Sequence, residues 1–106
     1  MENKDIDIIK NMRTVEWLKA QLLNSVANLY TNLANGEKNT RENLEDSISN
    51  VLLESLLLGK RLGLSYENIE RALEENIKIN LIQEHKIESW YGDLSGLLGY
   101  LKQQKD

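Results

Sequence analysis

Cysteine is absent from the 106 residues, which excludes both a disulfide framework and thiolate metal sites. Proline is absent too, although average usage of about 5% would place several in a chain of this length. Proline breaks helix interiors and populates turns, so its absence favours long, uninterrupted helices. No apolar run approaches the ~18 residues that a membrane span needs. The first ten residues, MENKDIDIIK, are charged and lack the apolar stretch of a signal peptide. These absences lead to the expectation of a cytoplasmic protein. Basic excess is lacking as well: 13 Lys and Arg against 17 Asp and Glu leave a net charge of −4, which argues against a nucleic-acid partner. What remains is ordinary globular composition, 41% hydrophobic and 28% charged. The length suits one helical domain over 1–106, frayed at 1–4 and 103–106, with no room for a second core. A chain this short buries roughly 60–70% of its unfolded surface and is only marginally stable alone.

Helical periodicity runs through the whole sequence. From about Asp5 to Ala34, Met12, Val15, Leu18, Leu22, Val26, Leu29 and Leu33 recur every three or four residues. At ~1.5 Å per residue an unbroken helix over that stretch would span ~45 Å, so a kink or break is expected near Met12–Thr14. Asn35-Gly36 supplies the stop. A second helix is predicted from an Asn39 cap, with Glu42 at the third position of a capping box, to Leu62, ending at Gly63. Its VLLESLLL run, Val51 to Leu58, is apolar on nearly every side and suits the centre of a bundle or a subunit interface. Ser65 is the predicted cap of a third helix carrying Tyr66, Ile69, Leu73, Ile77 and Asn80 along one line. A fourth carries Ile87, Trp90, Leu94, Leu97, Leu98 and Leu101. No segment alternates with period two, so the fold class is all-α, a four-helix or kinked five-helix bundle.

Familiar chemical signatures are missing: there is no phosphate-cradling glycine loop, no nucleophile elbow and no histidine pair. His85 is the single histidine, and with Glu88 three residues on it falls short of a metal site. Gly92 and Gly96 form a small-residue pair that a local bend explains as well as close helix approach does. The more informative pattern is polar. Gln21, Ser25, Asn28 and Asn32 share one face of the first helix, and Ser47, Asn50, Glu54 and Arg61 share one face of the second. Facing one another, the two stripes would line a cleft for a polar ligand; spacing alone favours a solvent face for each.

The stretch SNVLLESLLLGKRLGLSYENIERALEENIKIN, with LLNSVANLYTNLANG upstream, resembles the MazG-like branch of the all-α nucleoside triphosphate pyrophosphohydrolases. The likeness lies in a helix ending in a leucine-rich run, a Leu-Gly turn, and a helix closing on lysine and asparagine. It covers roughly the middle two-thirds of the chain. The helix over 83–102 is read as lying beyond the common family core, as in a short bacterial subgroup. The resemblance implies an oligomeric MazG-like bundle in which acidic residues from two adjacent helices hold Mg²⁺ against a triphosphate, so that water releases pyrophosphate.

Carried over position by position, the family's Glu-Glu-x-x-Glu motif falls on Asn24, Ser25 and Asn28, and its Glu-x-x-Asp motif falls on Ser47 and Asn50. None is a carboxylate. Asp46 and Glu54 flank Asn50 and are the fallback metal candidates. Glu54, Arg61, Lys78 and Asn80 are the remaining ligand-binding candidates, the last two matching the family's closing basic segment. The resemblance with its missing carboxylates implies a degenerate homologue that binds a nucleotide-like ligand or a protein partner without hydrolysis. It needs no cofactor and self-associates as a homodimer or tetramer. The alternatives are an active pyrophosphohydrolase with a rearranged Mg²⁺ site, the one reading that requires the metal, and a purely structural assembly module.

Overall fold

A computed structural model describes residues 2–36 and 40–104. They form five helices in chain order: α1 (Glu2–Ala34), α2 (Arg41–Arg61), α3 (Tyr66–Ile82), α4 (Lys86–Tyr91) and α5 (Asp93–Gln103). No strand occurs among the described residues. The helices fall into two compact units, residues 1–66 and 67–106.

In the first unit α1 packs along α2. Contrary to the break expected near Met12–Thr14, α1 runs without interruption for 33 residues, about 50 Å at the helical rise. The Thr14 hydroxyl donates to the Lys10 carbonyl at 2.8 Å, a bond made inside an intact turn. The expectation assumed a helix confined to a compact globule. Instead Ile6, Ile8 and Ile9 are all more than half exposed, so the turns ahead of the Asn11–Arg61 tie run past the packed seam. The helix stops where predicted: the Asn35 amide returns to the Thr31 carbonyl at 3.1 Å, and Gly36 takes φ +53°.

The start of α2 is corrected by one residue. The cap is Thr40, in extended backbone, whose hydroxyl accepts the Asn43 amide at 3.1 Å. Asn43 therefore holds the third helical position and Glu42 the second, so the capping box built on Glu42 does not form; Asn39 lies outside the described residues. Glu42 in the first turn and Lys60 and Arg61 in the last complement the helix dipole. At the far end the Gly63 amide bonds the Lys60 carbonyl and the Leu64 amide bonds the Gly59 carbonyl at 2.9 Å. This pairing requires a left-handed residue, and Gly63 supplies it at φ +92° without a Cβ clash.

In the second unit α3 begins directly after Ser65, as predicted. It ends with the same pair of bonds, Glu84 amide to Leu81 carbonyl and His85 amide to Asn80 carbonyl, but here the left-handed residue is Glu84 at φ 55°. The fourth predicted helix is two. Gly92, at φ +71°, closes α4 through its amide to the Glu88 carbonyl and opens α5 through its carbonyl to the Gly96 amide. The Glu88 carboxylate spans the break, accepting the Ser95 amide at 2.9 Å and the Ser95 hydroxyl. The fifth helix thus arises at Gly92 and not from α1. Neither Gly92 nor Gly96 has a neighbouring atom within 4 Å of where a Cβ would stand, so no helix uses them for close approach.

Core burial is sparse. Leu18 and Ile77 are the buried hydrophobic residues among those described, each 3% exposed. The VLLESLLL run is only half covered: Leu52 and Leu53 are 60% and 52% exposed.

Candidate functional site

The polar stripes do not face solvent separately, as spacing favoured; they meet. On α1, Ser25, Asn28 and Asn32 are one or two turns apart and share a face. On α2, Ser47, Asn50 and Glu54 do the same. Because α1 and α2 pack as a pair, the two faces close on one another and satisfy one another. The Ser25 hydroxyl lies 2.8 Å from both carboxylate oxygens of Glu54. The Asn32 amide nitrogen donates to Ser47 Oγ at 2.7 Å. Ser47 is 8% exposed, so this bond offsets the cost of removing its hydroxyl from water.

Around these ties opens a cleft of about 310 Å³, lined by Ser25, Asn28, Thr31, Asn32, Asp46, Ser47 and Asn50. Ser25, Asn28, Ser47 and Asn50, four of the five positions expected from the resemblance to correspond to the family's carboxylates, thus share one concavity. Asn24 does not: it is exposed and lies off the lining. Glu54 reaches the cleft through Ser25, and Asp46 is an exposed member of its wall. Arg61 stands elsewhere on the α1–α2 pair, its guanidinium 3.5 Å from Asn11 Oδ1 and its carbonyl accepting the Asn11 amide at 3.0 Å. Lys78 is exposed on α3, in the second unit, where the Asn80 amide donates to the Asn76 carbonyl at 2.7 Å. Thr31 joins the lining although it was not among the candidates. Its place one turn beyond Asn28 was the available signal, obscured because its hydroxyl also bonds the Ala27 carbonyl at 3.0 Å.

The donor set is hydroxyls and amides with one carboxylate. Such a wall offers both hydrogen-bond donors and acceptors to a polar ligand. It fits Mg²⁺ poorly, because a hard cation that dehydrates reluctantly needs carboxylate charge in return. The fallback pair does not repair this. Asp46 and Glu54 are eight residues apart on α2, about 12 Å along the axis, and Glu54 already holds Ser25. Among the described residues no group of three or more His, Asp or Glu side chains is placed to hold a metal ion. His85 is spent on structure: its Nδ1 accepts the Ile87 amide at 3.1 Å and caps α4. Among the described residues no helix is long and apolar enough to cross a membrane.

Comparison with curated proteins and with solved structures returns no match. Comparison with family models returns one that covers residues 8–94, from the first turns of α1 through α4 and into the start of α5, and by it the chain belongs to the MazG-like family.

Proposed function

We propose that this protein is a MazG-like homologue that has given up metal-dependent hydrolysis and acts by binding a nucleotide-like ligand through the α1–α2 cleft. The observation that carries this reading is a lining of hydroxyls and amides in which Asp46 is the one carboxylate. Ser25, Asn28, Ser47 and Asn50 occupy the positions of four family carboxylates and still converge on one concavity. Retaining hydrogen-bonding side chains there keeps the means to recognise polar groups while removing the charge that recruits magnesium. The test is an assay of the full chain for pyrophosphate release from each nucleoside triphosphate, with Mg²⁺ or Mn²⁺. The reading expects no metal-dependent release, together with a ligand-induced rise in melting temperature that Asn50→Leu abolishes. Robust hydrolysis lost in Asp46→Asn or Glu54→Gln overturns it in favour of a relocated metal site.

The exposed apolar surface supports a second reading, that the chain works as a homodimer or tetramer. Leu52, Leu53, Leu56 and Leu57 lie between 37% and 60% exposed on one helix, while among the described hydrophobic residues Leu18 and Ile77 alone are buried. A contiguous apolar patch of this kind is rare on a soluble monomer and marks an interaction surface.

A further inference from the structure

A second concavity on the α1–α2 pair shares no residue with the Ser25–Asn50 cleft. It is larger, about 740 Å³, within the range of small-molecule sites. Lys10 on α1 and Lys60 and Arg61 at the end of α2 line it, with Asp7 as the one carboxylate. A chain of net charge −4 thus gathers three cations against one anion in a single groove. Helix-end electrostatics accounts for part of this, because Lys60 and Arg61 complement the carbonyl end of α2. It does not cover Lys10, which belongs to the other helix.

Nor does it cover the rings. Trp17 and Tyr66 line the same groove and remain 59% and 48% exposed. Lys60 Nζ already stands 5.6 Å from the Tyr66 ring centroid, so cation and ring form one wall. Arg61 is held to α1 through Asn11, which anchors the groove's basic end. Among the described residues none of Lys10, Lys60 and Arg61 forms an ion pair, whereas Lys19 pairs with Glu16 at 3.1 Å. Unneutralised cations converging beside an uncovered indole provide the two recognition elements of an aromatic anion. The charges meet a phosphate or carboxylate, and the indole face stacks on a planar ring.

We propose that this groove binds a small anion carrying a flat ring, with Lys10 and Arg61 on the anionic group and Trp17 against the ring. The proposal does not depend on what occupies the Ser25–Asn50 cleft. Adenosine monophosphate is the probe, because it joins both elements, with adenosine and inorganic phosphate as its halves. Calorimetric titration of the full chain at low ionic strength should show saturable binding of the monophosphate at a site that Lys10→Gln weakens. Each half should bind at least tenfold more weakly. Lys10→Gln should weaken the monophosphate at least tenfold, and Lys10 is exposed, so its replacement leaves the fold intact. Trp17→Leu should do the same and bring monophosphate and inorganic phosphate to similar affinity. Lys19→Gln, on α1 outside both concavities, should change nothing. No saturable binding, binding indifferent to Lys10→Gln, or phosphate binding as tightly as the monophosphate overturns the proposal. Loss in Asn50→Asp with retention in Lys10→Gln overturns it too, by placing the ligand in the other cleft.

Discussion

The Ser25 hydroxyl sits 2.8 Å from each carboxylate oxygen of Glu54, joining the middle of α1 to the middle of α2 inside a half-buried seam. Ser25→Ala leaves that carboxylate without its cross-helix partner. The expected cost is about 1–2 kcal/mol, between the net value of a typical neutral hydrogen bond and that of one to a fully desolvated charged group, since the seam is only half-buried. In a chain of this size that is a fall of roughly 4–15 °C in melting temperature. Glu54→Gln keeps an acceptor for the hydroxyl and should cost less. Thermal melts of the two variants side by side check the ordering.

Restoring the family's charges should restore a response to metal. The combined variant Ser25→Glu, Asn28→Glu, Ser47→Glu, Asn50→Asp places four carboxylates around the 310 Å³ cleft. Like charges so close repel one another and loosen the pair until a cation arrives. The variant should therefore melt below the native protein without metal and rise on addition of Mn²⁺, while the native protein does not respond. A variant that folds and ignores the metal would show that the cleft does not correspond to the family site.

Leu53 is 52% exposed in the single chain, so Leu53→Glu should cost a lone protomer little. Exposed substitutions away from special features usually stay within about 0.5 kcal/mol. In an assembly that buries the outer face of α2, the same change places an unpaired charge in an apolar contact and should drive dissociation. Light scattering at micromolar concentration reads both cases. A native protein that is already a stable monomer would remove the assembly reading.

The C-terminus of α3 carries a removable strain. Glu84 adopts φ 55° at a position where Gly63 performs the same task after α2. A left-handed residue with a side chain costs about 1–2 kcal/mol, against the roughly 0.5–1 kcal/mol that glycine loses through greater freedom in the unfolded chain. Glu84→Gly should raise stability by up to about 1 kcal/mol, and a denaturant titration would measure it.

Acid should loosen the α4–α5 junction. Hydrogen bonds from the Ser95 hydroxyl and amide hold the Glu88 carboxyl below the ordinary glutamate value. A depressed carboxyl contributes stability that is present above the unfolded value and lost as pH falls through the folded one. The junction should thus be fully fastened near neutrality and weaken only below the ordinary glutamate range. Carbon-detected titration of Glu88 by nuclear magnetic resonance should show a midpoint that moves upward in Ser95→Ala.

Element type was legible because it rests on local signals: the three-to-four spacing from Met12 to Leu33, the glycine stops at 36 and 63, and the missing prolines. What misled were arguments that required knowing where a helix would lie. The Met12–Thr14 break was inferred from an assumed compactness that the exposed N-terminal turns of α1 do not obey. The split at Gly92 was hidden because Ile87, Trp90, Leu94 and Leu98 keep helical spacing across it. The residues of the cleft could be named from the polar stripes, but whether the stripes met or faced water depends on helix pairing, which periodicity along one helix does not encode. Lys78 and Asn80 rest on family pattern alone, and they stand on α3 in the second unit.

Leucine contacts between two helices are nearly interchangeable, and sliding one helix by a turn exchanges one leucine for the next at little loss. Directional bonds have no such tolerance. Asn11 to Arg61, Ser25 to Glu54 and Asn32 to Ser47 fasten α1 to α2 at three heights along the seam. A shift of a single residue would turn α1 by about 100° and carry it about 1.5 Å, breaking all three at once. The polar residues therefore act as a vernier for a greasy joint, choosing one alignment among several that the leucines alone would accept.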